Sequence, residues 1–371
     1  MEFSVKKFDL LEELELTQGV VERKTTIPIL SNLLCEVSGN RLTITATDLE
    51  LSIRTSCEAK VKKEGAGTIP AKKLLELVRL LPEDQEIRFK LLENHWVQIT
   101  CDRRNYKLVG MSKDNFPALP SFPHALVKMP AKLLADAIAK TTFAISLEES
   151  RYTLNGALMV LKPESITMVA TDGHRLSHIE RSGEKFEGVS GEMKTLVPKK
   201  AMDELKTLLD STDVETIEFA KDESTLYFRI GPRLLTSRQL TGQFPNYEAV
   251  LPKDNNKSIT VHGDELNAAI SRVAQFADER SRAVRLRLEK GELKLSASSS
   301  EMGESEDSIE INYDGDALAI GFNAQYLLDF LKATGSGEVK LEFKDGQSAG
   351  QMRPAESEDY KYRYIVMPMR I

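Results

Sequence analysis

One seven-residue pattern occurs three times along this chain, and its spacing limits the fold more than any other feature. Leu42-Thr43-Ile44-Thr45-Ala46-Thr47-Asp48 returns as Ile166-Thr167-Met168-Val169-Ala170-Thr171-Asp172, and a weaker copy stands at Leu293-Lys294-Leu295-Ser296-Ala297-Ser298-Ser299. A second marker keeps the same step. Ile69-Pro70-Ala71-Lys72-Lys73 is answered by Val197-Pro198-Lys199-Lys200, and Phe116-Pro117 by Phe244-Pro245. A period of about 125 residues is far longer than a solenoid repeat of roughly 20 to 50, so the copied unit is a whole domain. The 371 residues then divide into three domains, at 1–122, 123–252 and 253–371. Stiff proline-rich connectors mark the joins, at Phe116 to Pro123 and at Phe244-Pro245-Asn246-Tyr247 to Leu251-Pro252.

Within each third the pattern predicts a short strand, an amphipathic helix and then alternating strands. Pro130 to Ile138 carries apolar residues on one helix face, followed by strands over Ala157 to Leu161 and Ile166 to Ala170. The third copy starts its helix near Gly263-Asp264-Glu265-Leu266, with Asp264 or Gly263 as the expected cap. A second helix is predicted at 72–81, 199–209 and 324–332, where apolar side chains such as Met202/Leu205 and Leu327/Leu331 recur at helical spacing. Strands resume at Ile87/Phe89, Ile217/Phe219 and Leu341/Phe343. The fold class is therefore α+β, with each domain made of two similar halves, every half a helix laid on an antiparallel sheet.

The 50 basic and 57 acidic residues leave a net charge of −7, which excludes a DNA-binding mode that relies on a basic domain as a whole. Any nucleic-acid role has to rest on local charge or on shape. No apolar run approaches the roughly 18 residues that span a membrane, and Met1-Glu2-Phe3-Ser4-Val5 lacks a signal-peptide layout, so a cytoplasmic protein is expected. Cys35, Cys57 and Cys101 are odd in number and sit in apolar, strand-like surroundings, which predicts reduced thiols and no metal site. No cofactor is expected. The chain holds no Gly-rich phosphate loop, no paired-His metal spacing and no Gly-x-Ser-x-Gly turn. Asp172 with His174, or His174 alone among the five histidines, is the acid–base candidate of an enzyme reading.

Three such units, the segment Ala170-Thr171-Asp172-Gly173-His174-Arg175-Leu176, Arg151-Tyr152-Thr153-Leu154-Asn155-Gly156 before it, and the ending Tyr364-Ile365-Val366-Met367-Pro368-Met369-Arg370-Ile371 together resemble the bacterial DNA polymerase III beta subunit, the replication sliding clamp. Ile27-Pro28-Ile29-Leu30-Ser31-Asn32-Leu33-Leu34 and Thr47-Asp48-Leu49-Glu50 extend the resemblance into the first third. It implies a head-to-tail homodimer closing six domains into a ring around double-stranded DNA, with helices inside and sheets outside. A heterologous contact closes into a ring when its rotation allows, and three equal domains per chain suit closure by two chains. A ring also reconciles the negative charge with DNA, because encirclement needs no tight contact.

The resemblance further implies which residues act. Lys24, Arg151 and Tyr152 fall where clamps of this family touch DNA, and Lys72 and Lys199 join them among the candidate inner cations Lys73, Arg79, Lys132, Lys200, Lys206 and Arg272. The same lysines would equally stand on any solvated helix face. Glu12, Glu13 and Glu15 on the first helix count against a uniformly basic lining. The family's peptide groove maps onto Leu154, Thr171, Gly173, His174, Arg175, Leu176, Pro245, Val250, Ile365, Val366, Met367, Pro368, Met369 and Arg370. Read without the family, Asp172-Gly173 is a turn signal, and Met367-Pro368-Met369 fills a core or makes an adaptable surface. Partners implied are the polymerase catalytic subunit, the clamp loader, repair polymerases and ligase-type clients, each through a linear peptide. Ring closure maps onto Arg103, Tyr106 and Leu108 in the first domain and Phe276, Glu301, Glu304 and Glu306 in the third. The sequence departs from the family's pattern at Ala249, near Ala349 and at Gln275. A peptide-binding scaffold without a ring is the remaining alternative, separated from the clamp by retention on circular DNA.

Overall fold

The computed structural model of the chain describes residues 1–21, 26–183, 185–186, 188–356 and 360–370. Among these are six α-helices: α1 (Lys7–Leu16), α2 (Ala71–Leu80), α3 (Ala131–Ala139), α4 (Lys199–Asp210), α5 (Gly263–Val273) and α6 (Ala324–Thr334). Each begins on the residue after a strand, in turn Glu2–Lys6, Gly65–Pro70, Val127–Pro130, Met193–Pro198, Lys257–His262 and Leu318–Asn323. The strand-to-helix step is made twice in every third, which is the half-domain duplication expected from the sequence. Three of the six steps turn on Pro70, Pro130 and Pro198, whose fixed φ suits helix entry.

The helices bury the stripes that their spacing predicts. Helix α2 buries Ala71, Leu74, Leu75 and Val78, α5 buries Leu266, Ala269, Ile270 and Val273, and α6 buries Ala324, Leu327, Phe330 and Leu331. Covering each large apolar side chain contributes about 1.5–3 kcal/mol. The expected cap of α5 is corrected: His262 precedes the helix without a side-chain cap, and Gly263 and Asp264 lie inside it. Gly263 is there for close packing. Its N–H donates to Gly337 O at 2.7 Å, and a Cβ on it would stand 3.0 Å from that oxygen.

Helix α1 is the exception to simple amphipathicity, because it buries Lys7 and Glu13 as well as Leu10 and Leu14. The Lys7 ammonium donates to Leu81 O at 2.7 Å and pairs with Glu83 at 2.8 Å. Arg233 meets Glu13 through Nη2 at 2.9 Å and Glu12 at 2.6 Å, and the Glu13 carboxylate also accepts from the Thr55 hydroxyl. Glu15 pairs with Arg79 at 2.9 Å. The acidic residues that argued against a basic helix lining are therefore each matched by an arginine.

The strands of the described residues form four antiparallel sheets. A five-stranded sheet runs Lys60–Lys63, Glu2–Lys6, Glu86–Leu91, Trp96–Cys101, Arg104–Val109. An eight-stranded sheet runs Val127–Pro130, Thr216–Lys221, Thr225–Ile230, Arg233–Arg238, Leu51–Glu58, Arg41–Thr47, Asn32–Ser38, Gly65–Pro70. A second one runs Met193–Pro198, Gly156–Lys162, Ser165–Thr171, Arg175–Ser182, Tyr360–Val366, Gly350–Pro354, Glu338–Phe343, Lys257–His262. The last has four strands: Gly303–Glu310, Glu292–Ser299, Ala283–Glu289, Leu318–Asn323.

Each eight-stranded sheet thus takes four strands from each of two adjacent thirds. The joins are the pairings Leu234↔Arg54 to Ser237↔Leu51 in one and Arg175↔Val366 to Arg181↔Tyr360 in the other. The chain accordingly forms two compact units, Met1–Ala135 with Lys200–Gln239, and Asp136–Lys199 with Leu240–Ile371. Compactness follows the sheets and divides the middle third between the units. Among the described residues no helix is long and apolar enough to cross a membrane.

Candidate functional site

The strand Ser165–Thr171 ends where the Asp-Gly signal predicts a turn. The Asp172 Oδ1 accepts from the N–H of His174 at 2.9 Å and of Arg175 at 3.0 Å, and the Thr171 hydroxyl donates to Arg175 O at 2.6 Å. Gly173 adopts φ 89°, which glycine takes without strain, and a Cβ on it would lie 2.8 Å from Arg151 Nη1, so a side chain there would also displace that guanidinium. The first third makes the same turn. Asp48 Oδ1 accepts from Glu50 and Leu51, Thr47 donates to Leu51 O, and Leu49 stands at φ 80° where the other copy has Gly173.

Arg175 fixes this turn to its surroundings. Its guanidinium meets Asp172 Oδ2 at 3.0 Å, Asp329 Oδ2 at 2.5 Å and Phe143 O at 2.6 Å, and it lies 4.3 Å from the centre of the Tyr326 ring. Only 10% of the side chain is exposed, so its donors are committed to holding the loop against α6. On the other flank Arg151 donates to Asp172 O at 2.8 Å and pairs with Glu148 at 2.7 Å.

Below the turn lies an apolar floor. Leu158 pairs with Val169 and Leu176 with Ile365 across the sheet, and with Val160, Leu196 and Phe244 they form one buried cluster. A groove of about 130 Å³ opens over it, lined by Leu154, Thr171, Gly173, Arg175, Leu176, Pro245, Tyr247, Val250, Ile365 and Met367. That volume is close to the roughly 150 Å³ cavity known to accept a benzene ring, so the groove fits a large apolar side chain. Met367, 39% exposed, and Val250 form its open lip. The lining is mainly apolar, and the Thr171 hydroxyl within it donates to Arg175 O. Burial pushes the Cys35 thiol up to about 12, and burial with Glu13 and Asp9 pushes Cys57 up to about 12. Among the described residues no group of three or more His, Cys, Asp or Glu is placed to hold a metal ion.

The groove brings together nine of the residues expected from the sequence: Leu154, Thr171, Gly173, Arg175, Leu176, Pro245, Val250, Ile365 and Met367. The other five lie outside it. His174 is exposed at the turn and contributes only its carbonyl, which accepts from Met367 N at 2.8 Å. Val366 alternates to the opposite side of its strand from Ile365 and is buried. Pro368, Met369 and Arg370 line a separate cleft of about 420 Å³ with Arg285 and Gln347, because Met369 bridges to Gly321 and draws the tail away. Tyr247 is the lining residue that sequence reasoning missed. It sits in the Phe-Pro connector, whose repetition marked it as a linker although its aromatic residues were a packing signal. The ring of Tyr247 faces His178 at 5.6 Å, a buried imidazole whose Nδ1 has no partner.

Of the residues assigned to DNA, Lys24 lies outside the described residues. Tyr152 is 74% exposed beside Arg151, Lys199 is half-buried at the start of α4, and Lys72 is exposed, 3.9 Å from Glu76. Most other candidate cations are paired: Lys73 with Glu76, Arg79 with Glu15, Lys200 with Asp48, Lys206 with Asp210 and Arg272 with Asp307. Lys132 is exposed.

Among the described residues, the five-stranded and four-stranded sheets each have an edge strand with no partner on its outer side. Arg104–Val109, carrying Tyr106 and Leu108 and preceded by Arg103, hydrogen-bonds on one side only. Gly303–Glu310, carrying Glu304 and Glu306 and preceded by Glu301, does the same. Phe276 is exposed in the turn that follows α5, a helix packed against the Gly303–Glu310 strand.

Comparison with known proteins accounts for the whole chain. Models of the DNA polymerase III beta subunit match in order, the N-terminal domain over residues 1–120, the central domain over 128–246 and the C-terminal domain over 248–370. The beta sliding clamp of Pseudomonas putida is 34% identical over 374 residues, covering 100% of both chains. That of Caulobacter vibrioides is 35% identical over 384 residues with the same coverage. A crystal structure of the Pseudomonas aeruginosa sliding clamp bound to griselimycin matches with a TM-score of 0.93 at 33% identity, again over 100% of each chain.

Proposed function

This chain belongs to the DNA polymerase III beta subunit family, and we propose from that membership that it is a sliding clamp whose two copies close head to tail around duplex DNA. The family is a processivity factor and is not itself catalytic. The observation that carries the closed dimer is the pair of unpaired sheet edges. One edge is basic, with Arg103, Arg104 and Lys107, and the other acidic, with Glu301, Glu304, Glu306 and Glu310. Joining one chain's basic edge to the partner's acidic edge makes the two sheets continuous and covers both of these edges. Opposite charges set the register, although each exposed pair is worth only about 0–1 kcal/mol, so Tyr106, Leu108 and Phe276 supply most of the hold.

We assign DNA contact to Arg151, Tyr152, Lys72 and Lys199, with Lys24 in the same role. Cations already committed to carboxylates grip phosphate weakly, and weak phosphate contact is what sliding requires. Linear peptides of the polymerase catalytic subunit, the clamp loader, repair polymerases and ligase-type clients dock an apolar side chain in the groove over Leu176 and Ile365. The domains run 1–122, 123–252 and 253–371, and the protein works in the cytoplasm on the nucleoid. Small-angle scattering with absolute mass, read on dilution, tests the assembly. A particle of twice 41.5 kDa with the distance distribution of a hollow annulus is expected. A particle of 41.5 kDa at micromolar concentration overturns the closed dimer and leaves a peptide-binding scaffold.

A further inference from the structure

The first third carries its own version of the surface that forms the groove, and there it is polar. In the groove's sheet one row of paired residues crosses the strands as Leu158, Val169, His178 and Arg363. The matching row in the other eight-stranded sheet is Leu34, Thr45, Arg54 and Leu234. Phe116 packs against Leu34 as Phe244 packs in the cluster with Leu158. Where the groove floor has the pair Leu176 and Ile365, this copy has Ser52 and Thr236, both buried. The same architecture therefore presents a different chemistry.

The result is a cleft of about 290 Å³ with Thr45 and Arg54 in its lining. Thr45 is 1% exposed, and its hydroxyl has no hydrogen-bond partner among the described residues. The adjacent Arg54 Nε is buried and also without a partner. Burying two such donors is unfavourable unless something accepts from them. Lys113 stands exposed in the lining, and Glu36 and Asp114 line the same cleft.

We propose that this cleft is a carboxylate-binding site, in which Arg54 and Thr45 donate to one carboxylate and Lys113 supplies a second positive charge. A guanidinium presents parallel N–H groups that match a carboxylate's two oxygens. Because Glu36 and Asp114 offset the two cations, the cleft has no net positive charge, so a phosphate dianion is repelled more than a carboxylate monoanion, whose binding rests on the directed donors of Arg54 and Thr45. Leu34 and Phe116 provide an apolar wall for the carbon chain that bears the carboxylate. The carboxylate belongs to a small free acid or to an acidic side chain of a bound peptide.

The test follows the Nε–H resonance of Arg54, identified through Arg54→Lys, in the full-length protein labelled with nitrogen-15 arginine. Sodium acetate, acetamide, inorganic phosphate and the blocked peptide Ala-Leu-Glu-Leu-Ala with its Gln counterpart are the probes. Acetate and the Glu peptide are expected to shift the resonance saturably, phosphate at least threefold more weakly, and the two amides not at all. A tenfold preference for the Glu peptide over acetate assigns the site to peptide side chains, and equal affinity assigns it to free acids. Thr45→Val removes a hydroxyl that no protein group uses, so the variant should stay folded and bind carboxylate at least fivefold more weakly. Absence of a saturable shift with either carboxylate, equal shifts with the amides, or wild-type binding by folded Thr45→Val overturns the proposal.

Discussion

Single residues decide what the groove accepts. Met367 forms its lip beside Ile365, so Met367→Ala removes an apolar contact for the incoming side chain. The expected cost is about 1–2 kcal/mol in affinity for a polymerase-derived peptide, measured by calorimetry. An unchanged affinity would place the peptide elsewhere. Beneath the groove, burial pushes the His178 imidazole below its ordinary pKa, with Glu180 opposing and Arg363 reinforcing the effect. The native state therefore keeps His178 neutral, while the unfolded chain takes up the proton near pH 6.5. The stability this gives is full above about pH 6.5 and is lost as pH falls toward the lowered native value. Thermal unfolding followed from pH 7.5 to 5.5 should show a decline that His178→Gln makes shallower. Equal declines in the two proteins would remove His178 from the account. At this scale the sequence was readable for Gly173, a turn glycine at φ 89°, and opaque for Glu13, whose partner Arg233 comes from a strand far along the chain. Charge pairing over such separations leaves no local pattern to read.

At the scale of elements, helix positions followed from apolar spacing, because a stripe of leucines has one way to be buried. The Asp172-Gly173 pair also located the turn after Thr171. What spacing could not give was which strands pair, since the joins of Leu51–Glu58 with Arg233–Arg238 and of Arg175–Ser182 with Tyr360–Val366 link different repeats. The path of the tail was hidden for the same reason: Pro368 to Arg370 turn toward Gly321, a contact that depends on the four-stranded sheet being in place. The unpaired edges give a test at this level. Phe276 stands exposed beside the acidic edge, and a carboxylate there would have to be buried without a partner on closure. Phe276→Asp is expected to shift light-scattering mass from dimer to monomer while leaving the thermal unfolding midpoint of the monomer close to that of the parent chain. A dimer that survives the substitution contradicts the placement of this interface.

For the whole molecule, one repeated architecture serves two chemistries. The groove over Leu176 and Ile365 is apolar, and the corresponding surface over Ser52 and Thr236 is polar, so duplication has not produced two equivalent grooves. The net charge of −7 fits a protein held on DNA by topology, because a closed ring needs no high phosphate affinity to remain bound. Retention on DNA of defined topology tests that claim most directly. The protein is loaded with its clamp loader onto nicked circular plasmid, passed through a sizing column in high salt, and the plasmid is then cut once. The protein is expected to stay with the circle and to leave when the DNA is linearised. Loss from the intact circle in high salt, or persistence on the linear form without end blocks, would contradict encirclement.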